Sequence, residues 1–116
     1  MKRIFIYINI FFLSINISAV NEILIKSEIF PDKLSDFEFF LDSSAQIPHE
    51  NVFPYELIST LFSDYSEKQR WVYVPKNQKA KYQENWVFDF PTGSALIKTF
   101  YYPVDERDPE KGKRLL

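Results

Sequence analysis

The feature that most limits the fold is alternation of side-chain character in the second half of the chain, at residues 69–74, 86–90 and 94–102. Successive side chains of a strand point to opposite faces, so each stretch predicts a strand. Pro75 ends the first, and residues 91–93 form a turn between the second and third. Residues 94–102 are largely apolar on both faces, which predicts a strand covered on two sides. We therefore predict a mainly β, antiparallel, β-sandwich-like domain.

The first half of the chain gives weaker patterns. Residues 20–30 suit a short edge strand, and Pro31 then favours the start of a helix because a first turn does not need its missing N–H. Residues 32–41 carry apolar side chains at helical spacing, which predicts one short helix or helical turn with a buried aromatic face. Residues 42–51 have the composition of a loop. Residues 52–59 are expected to be extended.

The carboxyl end of the chain is expected to start a strand. Residues 105–114 are rich in charge of both signs and contain Pro109 and Gly112, which indicates an exposed turn. Leu115 and Leu116 then begin the returning partner of strand 94–102. Because the sequence stops there, we expect the β-rich domain at 20–116 to be incomplete at its carboxyl end.

The amino terminus has the pattern of an export signal, predicted as a helix over residues 1–19. Lys2 and Arg3 precede an apolar run from Ile4 to Leu13, and smaller residues lead to Ala19. This order of charge, apolar run and small-residue exit is typical of a secretory signal peptide. The run is shorter than the about 20 residues of a membrane span. We predict a periplasmic or secreted chain with no stable membrane span after cleavage, and an uncleaved anchor is the alternative.

Composition excludes several classes of function. Without the signal the chain holds 12 basic and 16 acidic residues, and this acidic balance disfavours nucleic acid as a partner. No cysteine is present, which excludes disulfides, thiolate chemistry and covalent haem attachment. With two glycines in the whole chain, a phosphate-binding loop is not expected. We predict no catalytic, cofactor or metal residues in this chain.

Aromatic side chains on the predicted strands form the candidate ligand-stacking surface: Trp71, Tyr73, Trp86, Tyr101 and Tyr102. Flat rings stack on sugar rings or on a haem edge. The alternative interpretation is core packing, since aromatic residues are common on half-buried strand faces. The set expected to be largely buried is Trp71, Val72, Trp86, Phe88, Ile97 and Phe100, and residues 76–84 are expected to be exposed.

Three further polar candidates each have a structural alternative. Lys98 lies between apolar neighbours and suits a buried functional amine, or a lysine that reaches water. Asp64, Lys68 and Arg70 suit an anion or carboxylate site, or a loop salt bridge. His49, the one imidazole, suits an axial ligand supplied to another protein, or an ordinary surface histidine.

Four blocks of the sequence occur in an order that resembles a known family. They are PDKLSDFEFF at 31–40, FPYELISTLFSDYSEKQRWVYVP at 53–75, WVFDFPTGSALIKTFYYP at 86–103 and DERDPEKGKRLL at 105–116. Together they resemble the amino-terminal part of a family of bacterial exported proteins, many of which are described as dihaem c-type cytochromes. The chain departs from the family pattern at Thr60, where proline is expected, and mildly at Ser94.

The resemblance implies an electron-transfer context but no haem site in these residues. Members described as cytochromes carry their C-x-x-C-H motifs beyond the part that this chain resembles, and this chain has no cysteine. We expect a non-catalytic, exported domain whose partner is the carboxyl-terminal cytochrome portion or a periplasmic redox protein. The alternative is an exported carbohydrate-binding module that uses the strand aromatics.

Overall fold

The computed structural model describes residues 19–116, so the predicted signal lies outside the described residues except for Ala19. The secondary structure runs in this order: α1 Glu22–Ile25, a 3₁₀ helix at Leu34–Phe37, β1 Phe40–Asp42, β2 Ile47–Pro48, β3 Val52–Pro54, β4 Glu67–Tyr73, β5 Ala95–Pro103, a second 3₁₀ helix at Pro109–Lys111, and β6 Lys113–Leu115. The prediction of a mainly β, antiparallel domain with one short helix is confirmed.

Two antiparallel sheets organise residues 19–116. The small one pairs β1 with β2, and the larger one has the order β3-β4-β5-β6. Its centre is the seven-residue register between β4 and β5, in which Trp71 lies opposite Ile97 and Tyr73 opposite Ala95. Among the described residues, strand β6 pairs with the last residues of β5, Tyr101 to Pro103. The returning strand expected at Leu115 is therefore present, and it begins two residues earlier, at Lys113.

The core is small and lies on one face of the large sheet. Val52, Trp71 and Tyr73 are buried, and half-buried residues of α1, β1 and β5 pack against them. The Phe40 ring meets the Trp71 ring edge to face with 5.0 Å between centroids. Aromatic pairs in this geometry add to the free energy gained from burial. Helix α1 and the β1–β2 hairpin thus form a second layer over this face of the large sheet.

The other face of β5 is open, which contradicts the prediction that this strand is covered on both sides. Along β5 the residues that share a face with Ile97 are half-buried, while Leu96, Lys98 and Phe100 are exposed. Leu96 keeps 69% of its surface in contact with solvent. The alternation of exposure shows a strand with one covered face, although its sequence is apolar on both.

Two predicted elements are wrong, and a third takes the shorter of its two predicted forms. Residues 20–30 contain α1 instead of an edge strand, because the Asn21 side chain accepts a hydrogen bond from the Leu24 N–H and caps the turn. The helical turn predicted within residues 32–41 is the 3₁₀ helix, which ends at Phe37 because Glu38 takes the left-handed conformation and turns the chain into β1. Residues 86–90 form no strand, since their only ladder contact is an isolated bridge between Lys81 and Asp89.

The predicted core set is half right. Trp71 is buried and Val72 and Ile97 are half-buried. Trp86, Phe88 and Phe100 are exposed, so these three predictions are wrong. The first two lack a paired strand to hold them against the sheet, and Phe100 lies on the open face of β5. Residues 76–84 are exposed as predicted, except for half-buried Ala80.

Candidate functional site

The five aromatic residues singled out by sequence do not share one surface. Trp71 and Tyr73 are 5% and 3% exposed and belong to the core, as the packing interpretation holds. The Tyr101 ring lies on the same sheet face, farther along β5, and the Lys113 ammonium sits 4.7 Å from its centroid. Tyr102 points to the opposite face and donates a hydrogen bond to the Asp64 carbonyl. Trp86 stands outside the sheet and is 80% exposed.

A hydrogen bond between Tyr73 and Glu22 joins the large sheet to α1. The Tyr73 hydroxyl donates to Glu22 Oε1 at 2.6 Å, and Lys26 lies 3.6 Å from the other carboxylate oxygen. This hydrogen bond holds the pKa of Glu22 below its usual value. Burial, followed by the neighbouring carboxylate, raises the pKa of the Tyr73 hydroxyl well above its usual value. The pair therefore ties α1 to β4 over the covered face of the large sheet.

The outer edge of β5 carries unpaired backbone groups. The Leu116 N–H donates to the Phe100 carbonyl at 3.0 Å, so the polar groups of Phe100 face the β6 side. Because these groups alternate along a strand, those of Leu96 and Lys98 face the same side. Strand β6 does not reach them, and no strand within residues 19–116 pairs there. We call the outward N–H and C=O groups of Leu96 and Lys98 the β5 edge.

An apolar cleft of about 590 Å³ lies along the β5 edge. Its walls come from the first 3₁₀ helix, β1, β5 and the last two residues, and its apolar lining includes Leu34, Phe37, Phe40, Leu115 and Leu116. Thr99 donates a hydrogen bond to the Gln46 side chain at 2.6 Å, which ties the β1–β2 hairpin to β5 at one end. A backbone edge beside apolar side chains is the arrangement that accepts an added strand.

The polar candidates separate into different roles. Lys98 is exposed, and its ammonium lies 5.5 Å from the centre of the Phe100 ring, so it is not a buried amine. Arg70 is buried and Lys68 is half-buried. No ion pair joins either cation to Asp64 within residues 19–116, so the salt-bridge interpretation is wrong there.

His49 is half-buried, its backbone N–H donates to the Phe39 carbonyl, and Nδ1 accepts from the Glu50 N–H at 3.1 Å. Over the described part of the chain, no group of three or more acidic or histidine side chains is placed to hold a metal ion.

No helix among residues 19–116 is both long and apolar enough to cross a membrane.

Comparison of the chain with protein-family models, with curated proteins and with solved structures gave no match. The features that bear on function are therefore those of the molecule itself: the β5 edge with its apolar cleft, exposed Trp86, and buried Arg70.

Two of the contacts that build this region were not found from sequence. Glu22 and Tyr73 are 51 residues apart, and Gln46 and Thr99 are 53 apart. No short sequence pattern indicates either pair, because both depend on how the segment from α1 to β2 packs against the large sheet. The one local signal was Asn21 before an apolar run, which is a helix-capping pattern.

Proposed function

We propose that this chain is a non-catalytic, exported β domain that joins a haem-bearing electron-transfer polypeptide by strand addition at the β5 edge. The partner is the cytochrome portion that the resembled family implies, carried on the same or on a separate polypeptide. The chain itself supplies no haem ligand in this proposal, in line with its lack of cysteine.

The β5 edge beside the apolar cleft carries the proposal. An edge strand with free backbone groups recruits other chains unless it is blunted by proline, charge or a bulge. Leu96 presents a 69% exposed aliphatic side chain at this edge, and Lys98 is the one charged side chain among residues 95–99. An added strand would satisfy the free N–H and C=O groups and place alternate side chains in the cleft. The collinear sequence blocks indicate which kind of partner to expect.

A substitution at Leu96 tests this proposal. Leu96→Pro removes the outward N–H and leaves intact the bonds that Ile97 and Thr99 make to β4. Leu96→Thr is the matched control, because it keeps the N–H and suits a strand. We would express tagged chains in the organism of origin, isolate them from the periplasm, and stain the co-purified polypeptides for covalent haem.

We expect a haem-containing polypeptide to accompany the parent chain and Leu96→Thr, and to be lost with Leu96→Pro. Circular dichroism of the purified variants verifies that all three chains are folded. Absence of haem from the parent preparation, or equal recovery with Leu96→Pro, would contradict the proposal. Recovery of the chain only from the cytoplasm would contradict export.

Carbohydrate binding is the second candidate, and exposed Trp86 is the observation that favours it. In the same segment the Phe88 ring lies between two others, with its centroid 5.9 Å from that of Tyr82 and 6.3 Å from that of Phe90. These three rings supply an aromatic surface. A glycan array probed with residues 20–116 and with Trp86→Ala tests this candidate. Binding that disappears in Trp86→Ala would favour it over strand addition.

A further inference from the structure

A pocket on the open side of the sheet is separate from the β5 edge. Residues 60–66 lie beside the face of β4 that carries Lys68 and Arg70, and together they border an open pocket of about 430 Å³. The rings of Phe62 and Tyr65 line it and meet edge to face, with centroids 5.3 Å apart. The volume falls within the range of about 300–1,000 Å³ found for small-molecule sites. The pocket therefore combines cationic and aromatic walls at the size of a small ligand.

Arg70 is a buried cation without a counter-charge. It is 9% exposed, and its Nε is shielded from solvent without any hydrogen-bond partner. Its guanidinium forms no ion pair with any carboxylate in residues 19–116. Burying a charge is costly unless the charge is paired and hydrogen-bonded. The fold holds Arg70 in a state that an anion would relieve.

The neighbours of Arg70 add to the positive charge. Lys98 lies directly opposite Arg70 in the β4–β5 register, and like charges in that position destabilise a sheet. Lys68 is on the same face, and its ammonium and that of Lys98 lie 5.7 and 5.5 Å from the centre of the Phe100 ring. Glu67 lines the pocket too, but its carboxylate forms no ion pair with Lys68 or Arg70 within residues 19–116. The face thus carries three cations and no acid paired with them among the described residues.

We propose that this pocket binds a carboxylate, held by the Arg70 guanidinium and the Lys68 ammonium, with an apolar body against Phe62 and Tyr65. A guanidinium matches the two oxygens of a carboxylate with two parallel hydrogen bonds. Lys68 uses one N–H on the Leu61 carbonyl at 3.1 Å, which leaves two donors for the ligand. The carboxylate belongs either to a small organic acid or to the end of a polypeptide.

Titration with sodium benzoate tests the site, with benzamide as the uncharged control of the same shape. We expect saturable chemical-shift changes around residues 60–70 with Kd of about 1 mM or tighter, and no saturation with benzamide. Lys68→Gln should raise Kd about tenfold or more, because it removes a charged donor. Lys79→Gln is the matched control, since Lys79 lies in the exposed segment 76–84 and is not among the residues that line the pocket, and it should leave Kd unchanged.

A second variant separates a ligand-binding role of Arg70 from a structural one. Arg70→Met keeps the side-chain length and removes the unpaired charge, so the unliganded variant should unfold at the same or higher urea concentration than the parent. It should also lose the response to benzoate. A lower unfolding midpoint would show that Arg70 has a structural role and overturn the proposal. Equal binding of benzamide, or an equal effect of Lys68→Gln and Lys79→Gln, would also overturn it.

Short peptides distinguish the two sources of the carboxylate. A peptide with a free carboxyl terminus and the same peptide amidated are titrated beside benzoate. Tighter binding of the free-acid peptide than of benzoate assigns the site to a polypeptide end. Equal affinity of the two acids assigns it to a small organic acid, and failure of all acids to saturate would overturn the proposal.

Discussion

The two tryptophans make a matched test of where the core lies. Trp71 is 5% exposed, packs edge to face on Phe40 and lies in the centre of the β4–β5 register, whereas Trp86 is 80% exposed and lies outside the sheet. Trp71→Ala removes a buried indole and leaves a cavity, which should cost about 3–5 kcal/mol of unfolding free energy. Trp86→Ala removes surface contacts only and should change it by no more than about 0.5 kcal/mol.

The assay is urea unfolding of residues 20–116 and the two variants, followed by far-ultraviolet circular dichroism. A domain stability of about 5–15 kcal/mol makes the Trp71→Ala loss a large fraction of the total. Trp86→Ala also leaves Trp71 as the single indole, whose fluorescence should resist quenching by acrylamide. Equal losses in the two variants, or a quenchable Trp71, would refute the assignment of the core to one face of the sheet.

Three further predictions concern pH, one glycine and export. Because the pKa of Glu22 is lowered in the folded chain, ionised Glu22 stabilises the fold above pH about 4.3, and this stabilisation is lost as pH falls through the folded-state pKa. Because the pKa of Tyr73 is raised, the protonated Tyr73 hydroxyl stabilises the fold fully below pH about 10, and this stabilisation is lost as pH rises through the folded-state pKa. Tyr73→Phe should therefore flatten both ends of the curve of unfolding midpoint against pH, and an unchanged curve would contradict the bond to α1. Gly93→Ala should cost about 1–2 kcal/mol, measured by thermal unfolding, because Gly93 has φ of +91° and an added Cβ would meet the Lys26 side chain; an unaltered midpoint would argue against that turn. Amino-terminal sequencing of periplasmic material should give Val20 as the first residue, while an intact Met1 in the membrane fraction would indicate an anchor.

The strongest sequence signals located the centre of the large sheet. The alternation at residues 69–74 and 94–102 predicted β4 and β5 and the correct division of their faces, and Pro75 marked the end of the first. Leu115 indicated the returning strand β6. These succeeded because both strands are long enough for a period of two to be distinct, and because each has a partner in the ladder.

The same pattern failed at residues 86–90, where Trp86 and Phe88 alternate with other residues without forming a strand. Alternation describes how side chains would be arranged if a partner strand were present, and it does not supply the partner. Exposure of one face of β5 was missed for a related reason. Apolar side chains at Leu96 and Phe100 predict burial, yet no layer among residues 19–116 covers them completely.

The candidate sites depended on placement that a sequence pattern does not contain. Lys68 and Arg70 were identified together by proximity along the chain, and Asp64 was grouped with them for the same reason. In the β4–β5 register Arg70 lies opposite Lys98 instead. The salt bridge considered from the sequence is therefore replaced by an excess of positive charge on this face of the sheet. The β5 edge was recognised only from the β5–β6 register, in which the contacts of β6 among residues 19–116 extend no farther along β5 than the Phe100 carbonyl.

Hydrogen exchange along β5, resolved residue by residue by NMR, tests the central claim most directly. In the isolated chain the Ile97 and Thr99 amides bond to β4 and should be protected, whereas the Leu96 and Lys98 amides face outward and should exchange rapidly. On addition of the haem-containing polypeptide recovered with the parent chain, the Leu96 and Lys98 amides should become as slow as their neighbours. Protection of all four amides in the isolated chain, or continued rapid exchange of Leu96 and Lys98 in the complex, would contradict strand addition at this edge.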